Sequence, residues 1–553
     1  MKKIASVALV LGAAVMTLAA RQETAPLFRA GTTLVELTLV ATDQNGQPVT
    51  DLNPDDITVE QNGKPRQIEF FRFEGDGFLP NASDPPRESI APGIFTNRPE
   101  YTPGPARNVT AIVIDSLNTV PEDQVAVRAQ VTRYLHALAP HTRVAVYRIG
   151  SRLTILHDFT GDLQGLRARL AQLKLDYNTQ AMSADERVRL QDLEAEHLDR
   201  AVGNDTEEEG DAEAKKEMAR LEEHFNEQLQ AQRIRQTVAS LEALGNHLGG
   251  IPGRKNLVWI SGGLPVVAQG ARDRWISDYS DQIRELARRL ATQGITVYPV
   301  QASALQVGVL GTASVAEGSS RGQQEKLRPL TRENELRVWS TMDMLADVTG
   351  GRSFRNSNDL ASGVRAAASD LRASYTLAFY VPDNTDHRWH QFDVRVRRPG
   401  VRILHRKGYM ALAPLKEPSS WSQTEWQAAM QNPLGSTAIR LDARAELFPA
   451  GLNVLLQIAA DDLYYKRLNG QPVTDLEIGF GERNRREWTR VRRDGAVITV
   501  KENPAQAIRP SIVRFSKVWT MDPETSDVRL VVRDRMTGRF GVLDMPLAAI
   551  ARP

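Results

Sequence analysis

The chain has 553 residues, no cysteine, 69 Lys+Arg against 68 Asp+Glu, a formal net charge of +1, and 41% hydrophobic and 25% charged residues. That length suits about three to four domains, each large enough to bury its own core. The missing thiol excludes disulfide scaffolds, thiolate nucleophiles, cysteine-ligated zinc, iron–sulfur clusters and a lipid-acylated cysteine, and balanced charge argues against nucleic acid or an anionic membrane surface as partner.

Residues 1–20 read as a secretory signal: Lys2-Lys3, an apolar run from Ile4, and small residues at Ala19-Ala20 before Arg21. The alternative is an uncleaved anchor helix, although the run is slightly short of the ~20 residues a spanning helix needs. No later segment is apolar enough over that length, so no membrane span is expected after cleavage, and the location is exported, periplasmic or extracellular.

Residues 31–75 alternate as strands do, with Leu34, Glu36, Thr38 and Val40 interleaved with Val35, Leu37 and Leu39, and turns at Asn45-Gly46 and Asn62-Gly63. A small β module is expected there. Residues 76–107 carry seven scattered prolines from Pro80 to Pro105 and read as a linker.

Buried strands alternating with amphipathic helices begin at Asn108. Val109 to Ile114 is a continuous apolar run ending on Asp115, and further strands are expected at Val144–Ile149, Asn256–Ile260, Ile295–Val300 and Tyr375–Val381. The first helix opens at Pro121-Glu122-Asp123, with an inner stripe expected at Val125, Ala129, Thr132, Leu135 and Leu138. Other helical segments fall near 163–173, 281–292, 336–349 and 360–371. The expected fold class is α/β, a doubly wound, mostly parallel sheet over residues 108–412, with sites at the carboxyl ends of its strands. Residues 183–248 read as an inserted helical hairpin, broken near Gly203-Asn204-Asp205 and Gly210, with Glu207-Glu208-Glu209 as a solvated tip. Strict alternation at Phe392–Arg397 predicts an edge hairpin closing around Arg402 to His405. Residues 413–435 form a connector, and short strands at 445–448, 452–459, 475–480, 496–500, 512–518 and 528–532 predict a β-sandwich over 436–553.

No catalytic set emerges. Trp259-Ile260-Ser261-Gly262-Gly263 lacks the first glycine of a nucleophile elbow, and Gly250-Ile251-Pro252-Gly253-Arg254-Lys255 has the wrong spacing for a phosphate loop. His387 and His390 fit a polar surface turn better than a metal site, and Asp461-Asp462 reads as a turn. One constellation stands out. The first strand ends Asp115-Ser116-Leu117-Asn118-Thr119 and the fourth ends Ser261-Gly262-Gly263. Such loops can meet above a doubly wound sheet, where a carboxylate and hydroxyls hold a hard cation; alternatively Asp115 and Thr119 cap the following helix.

Several stretches together resemble the von Willebrand factor type A domain, and more narrowly the exported bacterial proteins related to it, best known from acidobacteria. They are Val49-Thr50-Asp51-Leu52, Asp55 to Val59 and Asn62 to Ile68 in the leading module, Asp115 to Thr119, Pro252 to Gly263, Thr349-Gly350-Gly351-Arg352, Ser374-Tyr375-Thr376-Leu377 and Arg406-Lys407-Gly408-Tyr409, with a looser match at Val532-Arg533-Asp534 and Thr537 to Gly541. Such domains bind ligands through a metal-ion-dependent adhesion site: Asp-x-Ser-x-Ser after the first strand, a threonine on a second loop, and an aspartate in Ser-Asp-Gly after the fourth. The resemblance implies Asp115 as the first aspartate and Thr119 as the second serine, with Leu117 replacing the first serine and Gly262 the late aspartate. Asn118, Ser261 and Thr179 complete a degenerate site for magnesium or calcium. The implied function is non-enzymatic, an exported adhesion-type protein that binds a protein ligand. The alternatives are a metal-assisted hydrolase centred on Asp115 and an envelope scaffold without a soluble ligand.

Overall fold

A computed structural model describes residues 32–74, 94–98, 109–119, 121–137, 144–160, 209–251, 254–264, 267–269, 276–302, 340–355, 374–382, 388–411, 418–432, 434–449, 451–469, 471–484, 488–499 and 512–550, with a few positions in 164–168 and 363–370. The expected signal at 1–20, Thr179, His387 and residues 183–208 lie outside them. Among the described residues no helix is long and apolar enough to cross a membrane.

The central sheet contains β6 (Val109–Asp115), β7 (Val144–Ile149), β8 (Leu153–Thr160), β9 (Lys255–Ser261) and β12 (Ile295–Gln301), in the order β12-β9-β6-β7-β8. All neighbours are parallel except β8, which runs antiparallel to β7. The chain winds one way from β6 through β7 to β8 and the other way from β9 to β12. A doubly wound sheet with its switch point between β6 and β9 results. Every residue of β6 and of β9 is buried, as strands covered on both faces require. Val109, Ala111 and Val113 enter one core while Ile112 and Ile114 enter the other.

Helix α1 (Pro121–Ala137) covers the second face with Val127, Val131 and Leu135. The expected stripe is therefore displaced: Val125 is exposed and Gln124 is buried, because Gln124 turns inward to bond the carbonyls of Ser116 and Thr119. On the first face lie α2 (Glu209–Leu248), α3 (Ser280–Thr292) and α4 (340–349). Helix α3 buries Ile283, Leu286, Ala287, Leu290 and Ala291, the three-and-four spacing of one helix face. Helix α2 corrects the part of the hairpin reading that falls on 209–248. It runs unbroken through Gly210 for 40 residues, and its Ala231, Ile234, Leu241, Leu244 and Leu248 belong to the sheet's own core. A small hairpin, β10 (Val267–Gln269) with β11 (Ile276–Asp278), follows β9.

The segment 31–75 does not stand as a separate module. Strand β1 (Thr32–Thr42) pairs antiparallel with β13 (Ser374–Pro382) and β15 (Arg402–His405), and β4 (Phe70–Phe73) lies on the other side of β13. A facing sheet has the order β16-β14-β2-β3, formed by Gly408–Met410, Trp389–Val396, Ile57–Gln61 and Lys64–Arg66. Leu37, Leu39, Val59, Tyr375, Phe379 and Phe392 share its core. Tyr375–Val381 is thus not a strand of the parallel sheet, and β14 and β15 sit in opposite sheets instead of forming one hairpin. His390 is buried, with Nδ1 against Asn62 Nδ2 at 2.9 Å and its ring stacked on Tyr409, so it is not a surface turn residue.

The C-terminal unit packs β22-β18-β17-β5 on β19-β20-β23-β24, with β21 on the free side of β20. Its strands are β17 (Leu441–Phe448), β18 (Gly451–Ala459), β19 (Lys466–Leu468), β20 (Gln471–Arg483), β21 (Trp488–Thr499), β22 (Ile512–Trp519), β23 (Asp527–Asp534) and β24 (Phe540–Pro546). Strand β5 (Ile94–Thr96) comes from the expected linker and pairs with Asp442 to Arg444 of β17. Asn97 beside it bonds Ser436, Ile439 and Leu441. The expected connector also folds: Ser422 caps α5 (Gln423–Gln431) in a capping box with Glu425. Helix α5 packs on the outer face of the sandwich, where Trp426 lies so close to β20 that a Cβ on Gly479 would stand 2.2 Å from its ring. Arg529 fixes the helix's end by donating to the carbonyls of Met430 and Asn432 at 2.7 and 2.6 Å.

Polar junctions join the units. Thr437 Oγ1 donates to the His247 carbonyl at the end of α2 and accepts from Gly250 N. Arg406 donates to the carbonyls of Ala291 and Glu36, favourable at the negative end of α3. Lys255 is buried nearby, donating to the Ile251 carbonyl at 2.8 Å. Burial pulls its ammonium down from 10.5 to about 8, opposed by Glu36 and assisted by Arg406. Between those values the unfolded chain carries a proton the folded chain has released, so stability rises with pH across the window. Burial holds the Tyr298 hydroxyl above its ordinary 10.0, which reverses the trend beyond that pH. Lys255→Met should abolish a rise of about 2 kcal/mol at most, read from urea midpoints between pH 7.5 and 9.5.

Candidate functional site

Asp115 and Ser261 end β6 and β9 side by side at the switch point, since Ile114 pairs with Ile260. The apolar strands carry both residues into the interior, and each is 0% exposed. The Asp115 carboxylate meets four donors. Its Oδ2 accepts from Ser261 Oγ at 2.8 Å, Asn118 Nδ2 at 2.9 Å and Trp259 Nε1 at 3.1 Å, and its Oδ1 accepts from Asn118 N at 3.1 Å. Burial pushes the carboxyl above its ordinary range, while the donors on Asn118, Ser261 and Trp259 pull it back.

The hydroxyls are engaged as well. Thr119 Oγ1 donates to the Asp115 carbonyl at 2.5 Å and accepts from Gly262 N at 3.1 Å, while Ser261 Oγ accepts from Gly263 N at 3.1 Å. These bonds sew the β6 and β9 loops together. The loops are in contact: a Cβ on Gly262 would stand 2.3 Å from the Asn118 carbonyl oxygen. No aspartate fits there without moving backbone. Leu117 has turned inward, 2% exposed in the sheet's core, with its N–H bonded to the Ile149 carbonyl. The two departures from the adhesion-site pattern therefore have physical causes, since one position belongs to the core and the other to a backbone contact.

The structure brings Asp115, Asn118, Thr119 and Ser261 together; Thr179 lies outside the described residues. Two further members escaped the sequence reading. Trp259 supplies its indole N–H from within β9, a role its apolar neighbours concealed. Thr237 on α2 accepts from Asn118 Nδ2 at 2.7 Å and donates to the Arg233 carbonyl at 2.9 Å. No local pattern marks a threonine amid a long polar helix. At the adjacent position, Gln236 Nε2 donates to the Gly150 carbonyl after β7 at 2.6 Å, so α2 ties down two loops of this rim.

The donor set does not fit a divalent cation. Magnesium or calcium needs six or more oxygens directed at one point, whereas the carboxylate here faces N–H groups of Trp259 and Asn118, which donate and cannot coordinate. Among the described residues no group of three or more His, Asp or Glu side chains is placed to hold a metal. The other motif stretches are structural. Buried Arg254 bonds Asn256 and Tyr298, Tyr298 donates to Asp370 at 2.6 Å, and Arg352 also pairs with Asp370. Asp462 pairs with Arg440 at 2.8 Å.

No family model matches the chain, and no curated protein matches it. Among solved structures, it is similar to the conserved hypothetical protein BatB from Bacteroides thetaiotaomicron, at 13% identity over 48% of this chain and 98% of that one, with a TM-score of 0.24. An aerotolerance-related membrane protein from Bacteroides fragilis gives 12% identity, the same coverages and a TM-score of 0.24. Proximal thread matrix protein 1 from the mussel byssus, in a structure with a zinc-occupied MIDAS motif, gives 8% identity over 48% of each chain and a TM-score of 0.23. The architecture described above rests on strand pairing and not on these likenesses.

Proposed function

We propose that this chain is an exported, non-enzymatic, adhesion-type protein whose central sheet is a von Willebrand A-like domain that binds a protein ligand without a cation. The observation that carries the reading is the Asp115 carboxylate, fully buried and met by four donors from its own chain. A carboxylate so placed reaches neither bulk water nor a substrate, so it serves a hydrolase poorly. Its effect is to lock the strand ends of β6 and β9 together, while Gln236 and the Leu117 N–H tie the β7 end to them, and rigid loops lower the ordering cost of binding a macromolecule. The signal-like residues 1–20 support export.

Calorimetric titration of the intact chain with magnesium, manganese and calcium should give no saturable heat, and its thermal midpoint should not move. A cation present at 100 times its Kd would instead add about 2.7 kcal/mol of stability. Saturable binding lost in Asp115→Asn would overturn the cation-free reading.

A further inference from the structure

Among the described residues, β21 is a long edge strand with one side open along its whole length. It pairs with β20 from Val473↔Thr499 to Arg483↔Trp488 and with no other strand. Several other edges are met by backbone, while β22 and β8, eight residues each, also pair on one side only among the described residues and are shorter. Thr437 bridges Gly541 and Ser436 accepts from Val542 N at β24, Phe354 bridges Val300 at β12, and β5 pairs with part of β17. Over twelve residues, β21 offers a backbone edge about 40 Å long at ~3.4 Å per residue.

Its chemistry is one-sided. Strand β21 contains three arginines, Arg490, Arg492 and Arg493, and a single acid, Asp494. Arg483 and Arg492 are engaged with Asp527 and Glu482, while Arg490 and Arg493 are exposed. The neighbouring edge strand β22 is tied to β21 by Lys517 Nζ to Asp494 Oδ2 at 2.6 Å and adds the exposed Arg514. Val497 shares the outer face of β21 with Arg493 by strand alternation, and at 67% exposure it exceeds every other exposed large hydrophobic described. Charged side chains on an edge also guard against aggregation. A guard does not account for an open valine on the same face as Arg493 in a strand of this length.

We propose that β21 is a docking edge for an extended acidic segment of a partner polypeptide, which adds to the sheet as a further strand. The backbone selects the class of partner, because alternating N–H and C=O groups are complemented in series only by another backbone. The guanidinium groups select its charge by pairing with carboxylates, and Val497, four residues beyond Arg493 on the same face, accepts an apolar side chain. This surface is separate from the rim around Asp115 and stands or falls independently of it.

Fluorescence anisotropy with the full chain and a labelled ten-residue peptide alternating Glu with Thr or Val tests the inference. Binding should saturate, slow amide exchange across 488–499, and weaken about tenfold in Arg490→Glu/Arg493→Glu, a pair of exposed positions whose change leaves folding intact by circular dichroism. The same peptide N-methylated at alternate residues keeps its charge but loses ladder donors and should also bind about tenfold more weakly. Absence of binding would overturn the proposal. So would equal affinity for the N-methylated peptide, or full competition by inorganic polyphosphate, since either outcome would show a charge-only surface.

Discussion

Asp115→Ala should lower the stability of the central sheet by about 3 kcal/mol, although it removes a carboxyl that burial holds above its ordinary range. The carboxylate accepts from the Trp259 indole, the Ser261 hydroxyl and both nitrogens of Asn118. Truncation leaves those donors facing a cavity. Each buried donor without an acceptor costs ~1–3 kcal/mol. Asn118 is only part-buried, so water relieves some of the loss there, whereas Trp259 and Ser261 are fully enclosed. Relief from desolvating the carboxyl offsets another part, which sets the expected value near the middle of the range. Asp115→Asn should fare no better, because its amide brings N–H groups into a cluster already composed of donors. Urea denaturation followed by tryptophan fluorescence, to which Trp259 is one of eight contributors, and by far-UV circular dichroism checks both variants. Losses under about 1 kcal/mol in both would mean that Asp115 does not hold the rim together, and would return it to the role of a ligand for something external.

Arg529→Ala should release helix α5 from the C-terminal sandwich at a cost of about 3 kcal/mol. The guanidinium is 5% exposed and pairs with Asp544 at 2.6 Å. That ion pair contributes little by itself, because Asp544 is 53% exposed and water screens it. The larger effect lies at the helix end. Nη1 donates to Met430 and Asn432, and the guanidinium stacks 4.9 Å from the Trp488 ring centroid. Removing it strips the terminal carbonyls of α5 of their donor and leaves a gap beside Trp488. Hydrogen exchange should accelerate through 423–432 before it changes in β20 or β23. Arg529→Lys should recover only part of the loss, since one ammonium cannot serve the carboxylate and both carbonyls. Unchanged exchange in α5 would show that Trp426 packing alone holds the helix.

What the sequence made legible was local. Apolar runs at 109–114, 256–260 and 295–300 announced buried parallel strands, and those strands placed Asp115 and Ser261 at adjacent ends. Asn118 and Thr119 followed from the same loop. Distant pairing left no comparable mark. Thr32 to Thr42 alternates equally well whether it meets its own neighbours or Ser374–Pro382, because alternation describes one strand's two faces and is silent about its edges. Ile94–Thr96 lay among prolines whose statistics favour a linker, yet three residues sufficed to pair with β17. In α2 the apolar stripe at Ile234, Val238, Leu241 and Leu248 was readable from its spacing, while nothing in that spacing said that it packs on the sheet. The rim was half legible for a similar reason: side chains on the loops could be named, while Thr237 reaches them from a helix 119 positions away.

The N-terminal sandwich is completed from two ends of a long excursion, and this bears on synthesis. Leu52 N bonds the Tyr375 hydroxyl across 323 positions. At roughly 5–20 residues per second, the first strands leave the ribosome roughly 15 to 65 s before their partners exist. During that interval Leu37, Leu39 and Val59 have no core to enter. A chain of this design holds its opening strands unpaired until the strands ending at Met410 have been made, which makes that end the point at which a holding chaperone is most needed.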